Sequence, residues 1–102
     1  MKYDHTAFVV KDIDKSLEWY KENFNAKIIY RSKDWAFIDI NSSKLALSTG
    51  KHPNHIAFEV TEEELAQHRG KKVWDHRDGT RSIYFEDLDG NAVELIVYPR
   101  DW

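Results

Sequence analysis

The sequence predicts an α+β fold in which two βαβββ modules surround one cupped mixed β-sheet, with the helices on its outer face. Three observations carry this expectation. The segment His5-Thr6-Ala7-Phe8-Val9-Val10 returns fifty residues later as His55-Ile56-Ala57-Phe58-Glu59-Val60, with four of six residues matching. Each copy is followed by a helix-like stretch and then by strand-like runs. Period-two alternation leaves one side of the repeated strands apolar. A fixed internal period marks a duplicated structural unit, so the 102 residues are expected to form a single domain of two modules, residues 1–50 and 51–102. A module of about 50 residues is near the size at which a lone core is marginal. The two should share a core or depend on a partner.

Tyr3 to Val10 reads as the first strand from its Phe, Val and Thr content. Asp12 or Asp14 can cap a helix reaching to about Asn25, because Ile13, Leu17, Tyr20 and Phe24 recur at helical spacing along one face. Lys27–Arg31, Trp35–Ile40 and Lys44–Ser48 follow as strands, broken by Ser32-Lys33-Asp34 and Asn41-Ser42-Ser43. Gly50 to Pro53 links the modules. In the second module His55–Val60 is a strand. Thr61 and Glu64 have capping-box spacing, and Gly70 suits the helix stop. Strands fit Lys71–His76, Arg81–Glu86 and Asn91–Tyr98, separated by Asp78-Gly79 and Asp89-Gly90.

Composition narrows the function classes. Charged residues at 32% and apolar residues at 41% suit a globular protein. No apolar run approaches the ~18 residues of a membrane span, and Met1-Lys2-Tyr3-Asp4 opens no secretory pattern, so a cytoplasmic location without membrane partners is expected. The absence of cysteine excludes disulfides, thiolate metal sites and a cysteine nucleophile. A net charge of -3, with no basic cluster beyond two residues, argues against nucleic acid as a partner.

Alternation also divides the polar chemistry. Phe8, Val10, Ile56, Phe58, Val60, Val93, Leu95 and Val97 fall on the face expected under the helices. The opposite face carries His5, His55 and Glu94. Two neutral imidazoles and one carboxylate meeting at a point suit Fe(II), Mn(II), Zn(II) or Ni(II) and leave coordination positions open. Aligning Ser43-Lys44-Leu45-Ala46-Leu47 with Asn91-Ala92-Val93-Glu94-Leu95 sets Ala46 where the repeat would supply a fourth ligand. Three protein ligands with open positions is the catalytic pattern. A lone strand histidine is ordinarily a surface or hydrogen-bonded residue, and it is the joint placement at repeat-equivalent positions that selects these three. His52, His68 and His76 lack that placement and read as loop or surface residues.

The carriers of a family resemblance are now in view. They are the His5-x-Ala7-Phe8-x-Val10 opening, Asp12-Ile13-x-Lys15-Ser16-Leu17-x-Trp19-Tyr20, the His55 strand, and the closing run Tyr84-Phe85-x-Asp87-x-Asp89-Gly90-Asn91-x-x-Glu94-Leu95. Across nearly the whole chain these residues resemble the vicinal oxygen chelate superfamily, which includes glyoxalase, extradiol dioxygenase, fosfomycin-resistance and bleomycin-resistance proteins. The resemblance implies two βαβββ modules cupped around one divalent ion, His5, His55 and Glu94 as its ligands, a small oxygen-bearing substrate, and a homodimer. Ala46 departs from the four-ligand pattern of glyoxalase I proper. The region from Ser82 to Leu95 resembles the fosfomycin-resistance enzymes well, although those place a Thr where Ala7 stands and continue beyond the position of Trp102. Leu88 takes the place of the usual proline in the closing turn.

Tyr3, Trp35, Phe37, Ser48, Ser82, Tyr84 and Tyr98 fall on the ligand face, where aromatic walls with a few hydroxyls suit a small, partly apolar ligand. Trp35 and Phe37 serve equally well as interface residues. Tyr84 is a candidate hydrogen-bond donor to a metal-held oxyanion or a packing residue at the core edge. Glu59 is a candidate acid or base, or simply a solvated carboxylate. The leading expectation is a metal-dependent lyase or dioxygenase of the glyoxalase/dioxygenase type. The alternative is a bleomycin-resistance-like protein that binds and sequesters a small molecule without catalysis.

Overall fold

The computed structural model describes residues 1–50, 52–68, 72–76 and 78–99. By contacts the chain divides into two compact units, one of His5–Asn54 and one joining Met1–Asp4 to the chain from His55 onward. The first holds most of β1 (Lys2–Val9), then α1 (Ile13–Phe24), β2 (Lys27–Arg31), β3 (Trp35–Ile40) and β4 (Ser43–Ser48). The second holds β5 (His55–Glu59), α2 (Glu62–Ala66), β6 (Trp74–Asp75), β7 (Arg81–Glu86) and β8 (Ala92–Val97). The strands are mixed in direction, ordered β2-β3-β4-β1 in the first repeat and β5-β8-β7-β6 in the second. β1 runs parallel to β4 and β5 parallel to β8, while the other pairs within each repeat are antiparallel. The predicted α+β architecture of duplicated βαβββ modules is what forms.

Strand pairing shows how closely the copies match. In the first, Ala7 faces Ala46 and Phe8 faces Leu47; in the second, Ala57 faces Glu94 and Phe58 faces Leu95. On the outer strands Phe37 is paired with Ala46 and Tyr84 with Glu94. The alignment that set Glu94 against Ala46 is therefore a physical register, shared by both copies.

α1 begins at Asp12, whose carboxylate accepts from the Lys15 backbone N–H at 3.0 Å, and it ends at Asn25 in the left-handed region with φ 53. Asn tolerates that conformation where most residues do not. Its buried face, Ile13 and Leu17, packs with Ala26, Ala36, Ile38, Leu45 and Leu47. α2 has the expected capping box, Thr61 and Glu64 each holding the other's backbone N–H. Its Leu65 packs with Val60, Ile83, Leu95 and Val97. The predicted stop at Gly70 lies outside the described residues.

Some expectations need correction. Phe24, predicted on the buried stripe, is 52% exposed and packs against Trp19 and Tyr20 instead. The sixth strand contracts to Trp74–Asp75 among the described residues, because the turn that follows takes over its end. Phe8 was expected under a helix like its repeat mate. It is 40% exposed, whereas Phe58 packs against its core cluster. Their strand partners are equivalent, Leu47 on β4 and Leu95 on β8, so the difference lies in the side chains packed around each ring and not in register. The ligand face is also less open than its alternation implies, since Ala7, Ala57, Ser82 and Ile96 are buried there.

Each repeat has its own cluster, so each should be separately vulnerable. Leu47 and Leu95 are essentially inaccessible. Leu47→Ala and Leu95→Ala are each expected to lower unfolding free energy by about 2–5 kcal/mol through lost apolar contact and an incompletely collapsed cavity. Urea denaturation checks this, and a loss below about 1 kcal/mol at either site contradicts the assigned packing.

Candidate metal centre

The centre is best built from Glu94. On β8 it lies directly opposite Tyr84 of β7, with Ser82 two residues along the same strand and therefore on the same face. That placement converges three side chains. Glu94 Oε2 accepts from Ser82 Oγ at 2.6 Å and from the Tyr84 hydroxyl at 3.0 Å. Its other oxygen, Oε1, lies 3.2 Å from His55 Nε2. Glu94 is 4% exposed and Ser82 is wholly buried. A carboxylate removed from water is tolerated only when strong donors replace its solvent shell. Among the described residues no buried side-chain polar atom lacks a partner.

Both repeat histidines occupy matching niches. His55 packs edge-on against Tyr84, ring centroids 5.9 Å apart at 87°. His5 packs edge-on against Phe37, the residue equivalent to Tyr84, at 5.7 Å and 88°. The duplication thus preserves ring packing as well as strand register. His5 also follows Asp4 directly, whose carboxylate accepts from the Tyr98 hydroxyl at 2.7 Å. Within its unit Glu94 sets a carboxylate oxygen beside His55, and His5, of the other unit, is the third residue that the sequence assigns to one divalent ion. Two imidazoles and a carboxylate with one oxygen already pinned is a donor set that fits Fe(II), Mn(II), Zn(II) or Ni(II).

The remaining site candidates separate. Ser82 and Tyr84 belong to the Glu94 cluster. Phe37 is half-buried beside His5, and Trp35 is 40% exposed and leans on Tyr30. Ser48 accepts from the Gly50 backbone N–H, and Tyr3 meets Phe58 edge-on. Glu59 sits 3.6 Å from Lys2 Nζ. Four residues along an extended strand span about 13 Å, which takes Glu59 out of reach of a reactant held at His55. Surface hollows beside α1 (Asp14, Lys15, Glu18, Trp19, Glu22) and around Met1, Lys2, Glu59, Val60, Thr61 and Glu64 include none of the three candidate ligands.

Two histidines lie outside the helices and strands, as expected of loop residues, but both are half-buried and have partners. His76 is half-buried with Nε2 3.0 Å from Ser82 Oγ, and His68 stacks on Phe85. The signal for His76 was the Asp78-Gly79 turn. Gly79 has φ 89, and the Gly79 N–H donates to the His76 carbonyl at 3.1 Å, folding residue 76 back beside β7.

The comparisons with known proteins agree with this picture. The profile of the Glyoxalase/Bleomycin resistance protein/Dioxygenase superfamily matches residues 2–95. A metallothiol transferase FosB from Lysinibacillus sphaericus is 32% identical over 90% of this chain and 79% of its own length. The fosfomycin resistance protein FosX of Listeria monocytogenes is 31% identical over 89% of this chain and 85% of its own. A solved superfamily member from Vibrio splendidus 12B01 superposes with a TM-score of 0.73 at 10% identity, covering 94% of this chain and 98% of that one. The last likeness shows the fold alone. The chain belongs to the glyoxalase/bleomycin resistance protein/dioxygenase superfamily.

The electrostatics of the cluster have a measurable consequence. Burial, the neighbouring Glu94 charge and the hydrogen bond to it push the Tyr84 phenol well above its ordinary range. Burial and the hydrogen bond to Asp4 do the same at Tyr98. Raised folded values mean that the stabilisation by neutral phenols is complete below the unfolded value near ~10 and is lost as pH rises through the folded values. Stability is therefore expected to decline as pH rises above about 10. The decline should be shallower in a Tyr84→Phe/Tyr98→Phe double variant. Equal slopes in denaturant titrations of parent and double variant contradict the assignment.

Proposed function

We propose that this chain is a divalent-metal-dependent enzyme that transfers a thiol onto a small oxygen-bearing electrophile, with His5, His55 and Glu94 as the metal ligands. The observation that carries the proposal is the buried Glu94 carboxylate, held by two hydroxyls so that its other oxygen is presented beside His55. The substrate class is taken from the relatives, a metallothiol transferase and a fosfomycin resistance protein that match this chain across about nine-tenths of its length. The transferase's name favours group transfer over the lyase and dioxygenase chemistries that the family resemblance left open.

A bound divalent ion would supply Lewis-acid polarisation of the substrate oxygen. The protein's own contributions are orientation and exclusion of water. Ser82 and Tyr84 fix Glu94 in one rotamer, a restraint of the kind that tunes a ligating carboxylate. Tyr84 has committed its proton to Glu94, which makes it a positioning residue. Phe37 and Tyr84 brace the two imidazoles, and we assign Phe37 and Trp35 to an apolar wall against the substrate. In the transfer a carbon–sulfur bond forms as a carbon–oxygen bond breaks, and the thiol proton ends on the released oxygen.

Tests separate binding from folding. His5→Ala, His55→Ala and Glu94→Gln are each expected to abolish tight Mn(II) or Zn(II) binding in calorimetric titrations. The two histidine variants should leave the melting of the metal-free protein nearly unchanged, because neither imidazole lies in the helix-packed clusters. Retained affinity in both histidine variants contradicts the ligand assignment. Ligand capture that survives metal removal points instead to the sequestering alternative.

We place the homodimer contact on the edge strand β2, whose Ile28, Ile29 and Tyr30 are all at least 40% exposed. Light scattering is expected to give twice 12.1 kDa. A monomer that persists at micromolar concentration contradicts it.

A further inference from the structure

We propose that His76 is a positioning residue for Glu94, acting through Ser82 as the outermost donor of a directed chain from His76 Nε2–H to Ser82 O–H to Glu94 Oε2. The proposal rests on the reading of Glu94 as a metal ligand and extends it to a residue outside the ligand set.

Proton counting gives the direction. A serine hydroxyl has one proton and two lone pairs. Ser82 Oγ lies 2.6 Å from Glu94 Oε2, and the carboxylate oxygen can only accept. Ser82 has thus spent its proton on Glu94. Its neighbour on the other side is His76 Nε2 at 3.0 Å, so that nitrogen must carry a proton. Neutral His76 is therefore the Nε2–H tautomer, with Nδ1 left as an acceptor.

The surroundings hold the ring to this task. The His76 backbone N–H donates to the Thr80 carbonyl at 2.9 Å, and its carbonyl accepts from Gly79 at 3.1 Å. Thr80, itself 2% exposed, is tied through its hydroxyl and N–H to Asp78 Oδ1 at 2.7 and 3.0 Å. The imidazole stands edge-on to Tyr84, centroids 6.4 Å apart at 89°. A donor on the serine oxygen strengthens the bond that the serine gives onward. Without it, the Ser82 hydroxyl is free to turn away, and Glu94 Oε2 loses a hydroxyl donor. Loss of such outer partners commonly weakens metal binding by about 10–100-fold.

The test uses two readouts. In the metal-free protein, long-range proton–nitrogen NMR correlations report the His76 tautomer directly. Nε2–H is expected, and Nδ1–H overturns the proposal. Mn(II) titration is then run on the parent, His76→Ala, His76→Gln and the loop variant His52→Ala. Affinity should fall by about tenfold in His76→Ala. It should recover largely in His76→Gln, whose amide nitrogen can replace Nε2–H, and stay at the parent level in His52→Ala. Unchanged affinity in His76→Ala, or no recovery with Gln, overturns the proposal alone. A parent that binds no Mn(II) overturns the ligand reading on which it rests. Should His76→Ala fail to fold, the tautomer in the unaltered protein still decides the direction of the chain.

Discussion

Burial of the Glu94 carboxylate is the constraint on which the second repeat is organised. An ion-sized charge taken out of water costs several kcal/mol unless donors replace its hydration. Glu94 is 4% exposed, so its neighbours answer to that cost. Ser82 and Tyr84 sit on β7 at the positions from which their hydroxyls reach Oε2. The result is an acidic group with one oxygen clamped and the other beside an imidazole. A divalent ion fits such a geometry better than an isolated surface carboxylate would.

The two repeats show what a single substitution does to an inherited frame. Register, parallel pairing and edge-on histidine packing are alike in both. Where the second has Tyr84 opposite Glu94, the first has Phe37 opposite Ala46. Removing the carboxylate removes the need for a hydroxyl beside it. The aromatic ring stays because the imidazole still packs against it. One copy therefore offers a histidine and a carboxylate, the other a histidine alone.

Much of this was legible in the residues. The His-x-Ala-Phe repeat, the Asp12 cap, the Thr61–Glu64 capping box and the pairing of Glu94 with Ala46 depend on local spacing, and local spacing is what a sequence displays. The misreadings share a different origin. Phe8 and Phe58 are equivalent in the repeat and in strand pairing, but what packs around each ring is set by side chains distant in sequence. Phe24 lies on the right stripe of α1 and finds Trp19 instead of the core. His76 is a loop residue as expected, but its contact with Ser82 of β7 exists only once the intervening turn has closed. Glu59 shares a face with His55 but not a neighbourhood, since alternation gives the side of a strand and not the distance along it.

The chain is a duplicated scaffold and a member of the glyoxalase/bleomycin resistance protein/dioxygenase superfamily. The claim at the centre is that His5 and His55, contributed by equivalent positions of the two repeats, bind the same ion as Glu94. X-ray absorption at the metal edge of the Mn(II)- or Zn(II)-loaded protein tests it most directly, because imidazole rings leave countable multiple-scattering signatures. Two imidazoles in the parent, falling to one in His5→Ala and to one in His55→Ala, is the predicted result. A single imidazole in the parent, or a count that either replacement leaves unchanged, contradicts it.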